Sequence, residues 1–391
     1  MDKKIRLGII GLGNMGSGHA GRIVAGNCPD FVLAAVADVN PARIAWGKEN
    51  LKADVTYFDD AIAMLDSGLI DACIVSVPHY DHPKYAMECM KRGIHVMVEK
   101  PAGVYTKQVR EMNEEAKKHP DVVFGMMFNQ RTTCIYRKMR ELVQSGKNGE
   151  IRRTNWIITD WYRSQAYYDS GDWRATWSGE GGGVLQNQCP HQLDLWQWIC
   201  GMPVKVHAHM HFGKWHDIEV EDDVTAYVEY ANGATGTFIT STGDTPGTNR
   251  FEITMDGGKL ICDGNSLKLY KLDVPEPEFS KTNESPFGSP KVEEIDVETD
   301  GDNPQHAGVL RAFASAILNG TDLIADGREG INGLTLSNAM HLSAWLGKPV
   351  ELPIDADLYK EELMKRVATS CRKVNVKQVV SDTSGTYNSG K

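Results

Sequence analysis

The stretch Ile5-Arg6-Leu7-Gly8-Ile9-Ile10-Gly11-Leu12-Gly13-Asn14-Met15-Gly16 decides the reading of this chain. A short apolar run of strand character, Ile5–Ile10, enters Gly11, Gly13 and Gly16 in G-x-G-x-x-G spacing, and helical sequence follows. The first glycine permits a tight turn. The second lets a pyrophosphate approach the main chain, and the third lets helix and strand pack closely. The phosphates then meet the helix N-terminus, with Asn14 and Met15 in its first turn. Asp38 closes the next apolar run, about 20 residues further on, where a carboxylate accepts from an adenosine ribose. That favours NAD, since a 2′-phosphate would be repelled; Arg43 tempers the preference, leaving NADP second.

Outward from this loop, apolar runs Val32–Ala37, Ala72–Val77, Ile94–Val98 and Val122–Met127 alternate with helix-like Pro41–Asn50, Asp59–Ser67, Asp81–Lys91 and Thr106–Lys118. Asn40, Asp81 and Thr106 read as N-caps. Continuous apolar strands between helices predict a doubly wound parallel sheet. After a helix near 132–145 the chain turns strand-rich: Ile151–Thr159, Val204–Phe212, Val224–Tyr230, Thr235–Thr240, Arg250–Met255 and Leu267–Tyr270, with a helix over Gly183–Cys200. Val274–Asp302 reads as a polar surface excursion. Helices near 304–319 and 327–346 and a strand Val350–Pro353 follow, then a terminal helix Glu361–Lys373 and a polar tail Ser381–Lys391. The expected fold is α/β, with a dinucleotide-binding domain (1–130), an α+β domain with a mostly antiparallel sheet (131–357), and a C-terminal helix and tail (358–391).

Composition narrows the class. Forty-two Lys and Arg against 52 Asp and Glu give a net charge of −10, unsuited to general nucleic-acid binding. No apolar stretch is long enough for a membrane span. Eight scattered cysteines without a C-x-x-C pair argue against a zinc site or disulfide framework and for a reducing compartment. With the first strand starting at Ile5, no signal peptide is expected, and the location read is cytoplasmic.

The segment His95-Val96-Met97-Val98-Glu99-Lys100-Pro101 joins the glycine loop to a wider pattern. Downstream come Gly181-Gly182-Gly183, Asn187-Gln188-Cys189-Pro190-His191-Gln192-Leu193-Asp194, Trp198-Ile199-Cys200-Gly201, Glu221-Asp222-Asp223, Ala231-Asn232-Gly233 and Pro304–Gly320. Over roughly residues 5–355 the chain resembles the Gfo/Idh/MocA family, the glucose-fructose oxidoreductase and inositol dehydrogenase group. The resemblance implies an N-terminal Rossmann domain and a second domain whose large open sheet often mediates dimers or tetramers. It places Lys100 beside nicotinamide and substrate, with the peptide between Lys100 and Pro101 often cis. It also brings Pro78, His79 and His82 to the cofactor. Two positions depart from the family: Asn187 stands where Asp is common, and Cys189 where glycine is.

The chemistry reads from the residues as well. Oxidising a secondary alcohol requires a hydride acceptor and a group to take the hydroxyl proton. Lys100 can polarise the oxygen or relay a proton, and Glu99 fixes Lys100 or the cofactor. Asn187, His191 and Asp194 fall at i, i+4, i+7, one face of a helix. His191 titrates near neutrality and is the candidate base. Asn187 can bond a substrate hydroxyl but carries no charge. Asn129 is assigned to the cofactor, Gln130 and Arg131 to the substrate. Trp161, Arg163, Tyr168, Trp173 and Arg174 lie in an aromatic-rich segment, Asp160–Trp177, that suits stacking on a sugar ring or, alternatively, filling a loop core or an oligomer contact. His306 opens a later helix within expected reach of substrate. His207, His209 and His211 alternate along one strand and read as a polar sheet face rather than a metal site. Glu219–Asp223 reads as a loop. No metal is expected. The partner is a small sugar, glycoside or cyclitol, and the chain a homodimer or homotetramer. The expected activity is an NAD-dependent dehydrogenase acting on a ring secondary alcohol, with C3 of a pyranoside preferred. The rivals are a glycosidase that recycles bound NAD without net redox and a non-catalytic sugar sensor.

Overall fold

In the computed structural model, β1 (Ile5–Ile10), β2 (Phe31–Ala37), β3 (Thr56–Phe58), β4 (Ala72–Val75), β5 (His95–Val98) and β6 (Phe124–Met126) form one parallel sheet in the order 3-2-1-4-5-6. The structure describes residues 4–371, 373 and 376. Leu7, Ile9, Ile74, Val75, Val96 and Val98 are all fully buried, which is why these runs are apolar throughout. Helices α1 (Asn14–Val24), α2 (Pro41–Asn50), α3 (Ala61–Asp66), α4 (His82–Lys91) and α5 (Thr106–Lys118) connect the strands. Asn40 caps α2, its side chain accepting from the Ala42 amide at 2.9 Å. Asp81 sits at the N-cap of α4 without a capping bond, and Thr106 lies inside α5, whose N-cap is Tyr105. The edge strand β3 was not expected: it has three residues, none fully buried, too few for a periodic signal. Strand order reverses between β1 and β4, which opens a crevice at their carboxyl ends.

The second sheet has nine strands. They are β7 (Ile151–Ile158), β8 (Lys205–Phe212), β9 (Glu221–Glu229), β10 (Thr235–Ser241), β11 (Asn249–Met255), β12 (Gly258–Asp263), β13 (Ser266–Leu272), β14 (Val292–Asp296) and β15 (Val350–Glu351). The order is 14-13-12-11-7-10-9-8-15; β7 and β10 run parallel, and every other pair is antiparallel. The excursion expected at 274–302 contains a strand, β14, and a short helix, α9 (Glu276–Thr282). One face packs on α6 (Cys134–Gln144), α8 (Pro190–Cys200), α11 (Gly330–Leu346) and α12 (Ala356–Val367), with a single turn α7 (Gln165–Tyr168) above it. Trp156 stacks on Phe251 at 4.3 Å in that core. The other face shows exposed Ile157, Thr225 and Tyr227.

Two boundaries differ from the sequence reading. Helix α10 (Gln305–Asn319) buries Val309, Leu310, Phe313 and Ala314 with β1 and β2, so it completes the first core although the chain has left it. The terminal helix begins earlier, at Ala356, because Asp355 caps it through the Asp357 and Leu358 amides, and it ends at Val367. The tail Ser381–Lys391 lies outside the described residues. No helix among the described residues is long and apolar enough to cross a membrane.

Candidate active site

The loop after β1 shows why each glycine is there. Gly11 has φ +91°, and a Cβ on it would lie 2.2 Å from the Ser76 carbonyl oxygen. A Cβ on Gly16 would lie 1.8 Å from the Gly11 oxygen, whereas one on Gly13 would meet nothing within 4 Å. The first and third glycines serve the chain's own packing, and the second faces open space. Gly13 caps α1 without a side-chain bond, Met15 lies in the first turn, and Asn14 Oδ1 is buried without a partner. Asp38 Oδ2 accepts from Leu12 N at 2.7 Å and Oδ1 from Asn40 N at 2.8 Å, tying β2 to the loop. Arg43 Nη1 is also buried without a partner. An open helix N-terminus, an open glycine and unpartnered polar atoms fit a dinucleotide.

Glu99 and Lys100 leave the end of β5, followed by a cis peptide to Pro101. Glu99 is buried, with Oε1 2.6 Å from His19 Nε2 and Oε2 accepting from its neighbour's amide, Lys100 N, at 3.2 Å. Burial alone would raise its carboxyl, but the His19 bond and the charges of His19, His306 and Lys100 hold it down at about 2. His19, three residues past Gly16, was not singled out from sequence; its place on α1 facing β5 was the available signal. His306 meets His19 edge-on at 5.6 Å and is pushed down to about 3, chiefly by burial and then by His19. Lys100 Nζ donates to the Asn187 carbonyl at 2.8 Å. Burial lowers its ammonium, opposed by Glu99 and Glu180.

His191 lies in the first turn of α8, edge-on to Phe128 at 6.3 Å. Both ring nitrogens are buried without partners. Burial, and next the Lys100 charge, push it well below its ordinary value, so the ring is neutral. Asn187 does not share its helix. α8 starts only at Pro190, and Gly183–Cys189 is a run of turns, so the i, i+4, i+7 face does not form. Asn187 instead reaches in from the turn, its Nδ2 donating to Tyr167 OH at 3.0 Å and to Glu180 Oε1.

Several expected substrate residues are otherwise engaged. Arg131 is buried and forks onto Asp194, with both bonds 2.7 Å, and also bonds Glu329. It braces α8 rather than facing substrate. Tyr168 is buried, its hydroxyl donating to Thr242 Oγ1 at 2.8 Å. His82 joins Pro101 O (2.6 Å) and Val77 O (2.8 Å), holding the ends of two strands instead of facing cofactor. Gln130 Oε1 accepts from Gln192 at 3.2 Å, and Asn129 Nδ2 donates to Gln305 at 2.6 Å, its Oδ1 left unpartnered. Pro78 is exposed. His79 Nδ1 lies 3.2 Å from Glu180 O, and burial lowers it well below its ordinary value.

The aromatic segment is laced with arginine. Arg163 lies over Trp161 (5.6 Å) and Tyr167 (5.1 Å); Arg174 lies over Tyr167 (4.6 Å) and Trp173 (4.7 Å). Trp161 Nε1 is buried and unpartnered, and Trp173 meets His79 edge-on at 6.4 Å.

The acidic run near 221 is not a surface loop. Glu221 and Asp222 begin β9 and are fully buried. Glu221 accepts from Gly183 N (2.9 Å) and Leu185 N (3.0 Å), clamping the turn that carries Asn187. Asp222 gathers the amides of Lys214, Trp215 and His216. On β8, the His207 and His209 rings lie 4.9 Å apart and His211 pairs with Asp223 at 3.0 Å. Among the described residues no group of three or more His, Cys, Asp or Glu could hold a metal ion.

Comparison with known proteins adds the following. Residues 5–126 match the model of an oxidoreductase family with an NAD-binding Rossmann fold, and residues 136–261 the GFO/IDH/MocA C-terminal domain. A myo-inositol 2-dehydrogenase of Thermotoga maritima is 27% identical, over 66% of this chain and 75% of its own. A D-glucoside 3-dehydrogenase of Escherichia coli is 26% identical, over 89% and 97%. The WlbA dehydrogenase of Chromobacterium violaceum, solved with NADH and UDP-GlcNAcA, superposes with a TM-score of 0.78 at 27% identity, over 91% of this chain and 98% of that one.

Proposed function

Since the chain belongs to the GFO/IDH/MocA family of NAD-binding oxidoreductases, we propose that it oxidises a ring secondary alcohol of a sugar, glycoside or cyclitol, with C3 of a pyranoside preferred. The observation that carries this reading is the buried His191, both ring nitrogens without a partner, on which the Lys100 charge acts. Gly13 and Asn14, in the turn that Gly11 and Gly16 allow to close, would hold the pyrophosphate and Asp38 the ribose. Bound there, NAD would supply the hydride acceptor for the alcohol carbon, whose hydrogen leaves with its bonding electrons. His191 takes the hydroxyl proton as the carbon–oxygen double bond forms. Lys100 donates to that oxygen and stabilises the charge it gains. Asn187 bonds a neighbouring hydroxyl, and the faces of Trp161 and Trp173 suit the C–H face of a ring. The likeness to an inositol and a glucoside dehydrogenase supports the substrate class. The eight free cysteines support a reducing, cytoplasmic setting, and exposed Ile157 and Tyr227 on the open sheet face support a homodimer or homotetramer.

The test is NADH absorbance with NAD and a panel of myo-inositol, methyl glucopyranosides, free pyranoses and levoglucosan. NADH formed with one class is the expected result. Hydrolysed glycoside without net NADH would overturn it in favour of cofactor recycling, and binding without either product in favour of a sensor.

A further inference from the structure

We propose that Glu180 is a positioning residue for the proton-handling cluster: it fixes the Asn187 side chain and provides the carboxylate that balances Lys100. This rests on the oxidation reading above. Glu180 is only 2% exposed and stands between two glycines at which a side chain would clash. A Cβ on Gly179 would lie 2.4 Å from the Trp173 oxygen, and one on Gly181 2.2 Å from a Val104 methyl. Glu180 Oε2 accepts from Ala175 N at 2.7 Å, Oε1 accepts from Asn187 Nδ2, and Arg174 Nη1 lies 3.8 Å from the carboxylate.

An ionised carboxylate only accepts, so it decides which way the Asn187 amide faces. Tyr167 OH, which already receives Arg174 Nη1 at 2.9 Å, takes the other Nδ2 hydrogen. Both amide hydrogens are therefore engaged, and Oδ1 is left as an acceptor for a substrate hydroxyl. The same residue turns its main-chain oxygen to Lys100 Nζ. Asn187 thus bridges ammonium and carboxylate by two hydrogen bonds. The charges acting on Lys100 are Glu99, Glu180, Arg163 and Arg174, and Glu99 is already bonded to His19. Burial raises the Glu180 carboxyl, and Glu221 adds to this, while Arg174, the Ala175 amide and Lys100 oppose it and favour the charged form. After Glu99, Glu180 is the acidic group whose charge acts on Lys100, and it is the one linked to it through Asn187.

The experiment uses the full chain with Glu180→Gln, Glu180→Asp, Asn187→Asp and the double variant E180Q/N187D. NADH fluorescence titration confirms that each variant is folded. The Lys100 ammonium is titrated by NMR of 13Cε-labelled lysine, its signal assigned by loss in Lys100→Ala; kinetics use myo-inositol and methyl β-D-glucopyranoside as probes. Glu180→Gln should lower the Lys100 midpoint by about one pH unit or more. It should reduce kcat between about 10- and 100-fold while leaving NADH affinity in place. E180Q/N187D, which moves the carboxylate one residue along the bridge, should restore both. Asn187→Asp alone, with two carboxylates in contact, should not match the wild type. Glu180→Asp keeps the charge but withdraws the oxygen, so Lys100 titrates normally while kcat falls. An unchanged Lys100 titration in Glu180→Gln, or no rescue in the double variant, overturns the proposal. If the wild type oxidises neither probe, the functional reading is in question, while the NMR titration still decides the role of Glu180.

Discussion

The two walls of the cleft are built from different materials. On the cofactor side a main-chain frame, a glycine turn and a helix N-terminus, is stitched by single side chains: Asp38 to two amides, His82 to two carbonyls and Glu99 to His19. On the side that carries Asn187, the proposed substrate side, the backbone is irregular, and buried charged groups hold it. Glu221 clamps the Gly183–Leu185 turn, Asp222 gathers the 214–216 amides, Glu180 holds Asn187, and Arg131 braces Asp194. A wall of main-chain geometry tolerates change in side-chain charge. A wall of buried carboxylates fails when one partner goes, because the other is left desolvated and unpaired. The first suits a constant ligand, the second a ligand whose polar groups must be matched one by one.

The largest effects should come where the walls meet. His191→Ala and Lys100→Ala are each expected to lower turnover by about 10²- to 10⁴-fold with NADH binding intact, as read by steady-state kinetics beside fluorescence titration. Equal losses of NADH affinity would show that the walls are not separable. Arg131→Ala should cost about 3–5 kcal/mol of stability in urea unfolding, since it strands the buried Asp194 carboxylate; Arg131 would be returned to the substrate if only KM changed. The cofactor wall divides by glycine. Gly16→Ala should destabilise the fold, whereas Gly13→Ala should leave the melting temperature nearly unchanged yet weaken NADH.

The smallest effect is a graded acid sensitivity with two windows. His306, pushed down to about 3, favours its neutral form in the fold. Its contribution is complete above about pH 6.5 and declines as pH falls toward 3. Glu99, held at about 2, contributes fully above about pH 4.3 and is lost as pH falls toward 2. Urea midpoints should therefore fall as pH drops from 7 to 3, and Glu99→Gln should flatten the fall chiefly below about pH 4.3.

The cofactor wall was legible because its constraints are local. Gly11, Gly13, Gly16 and Asp38 announce themselves by spacing, and the alternation of strand and helix gave the six-stranded sheet all but β3. The substrate wall was not, because its partners are remote in sequence. Nothing near Glu221 reveals that its carboxylate meets Gly183, and an acidic run ordinarily reads as solvated. Glu180 was hidden in the same way, as one acid among glycines. Arg131 and Tyr168 were assigned outward because arginine and tyrosine suit a sugar, while their actual partners, Asp194 and Thr242, lie 63 and 74 residues away. Asn187 was misplaced by a helix that starts at its proline, three residues later.

Helix α10 has a consequence for how the chain is made. Phe313 stacks on Phe31 at 6.1 Å, so the first sheet cannot finish its apolar covering until residues near 314 have left the ribosome. At about 5–20 residues per second, that is roughly 10–40 s after residue 130 is added. During that interval the part of the β1–β2 face that α10 covers lies bare. Synthesis therefore couples the maturation of the nucleotide-binding half to completion of the other.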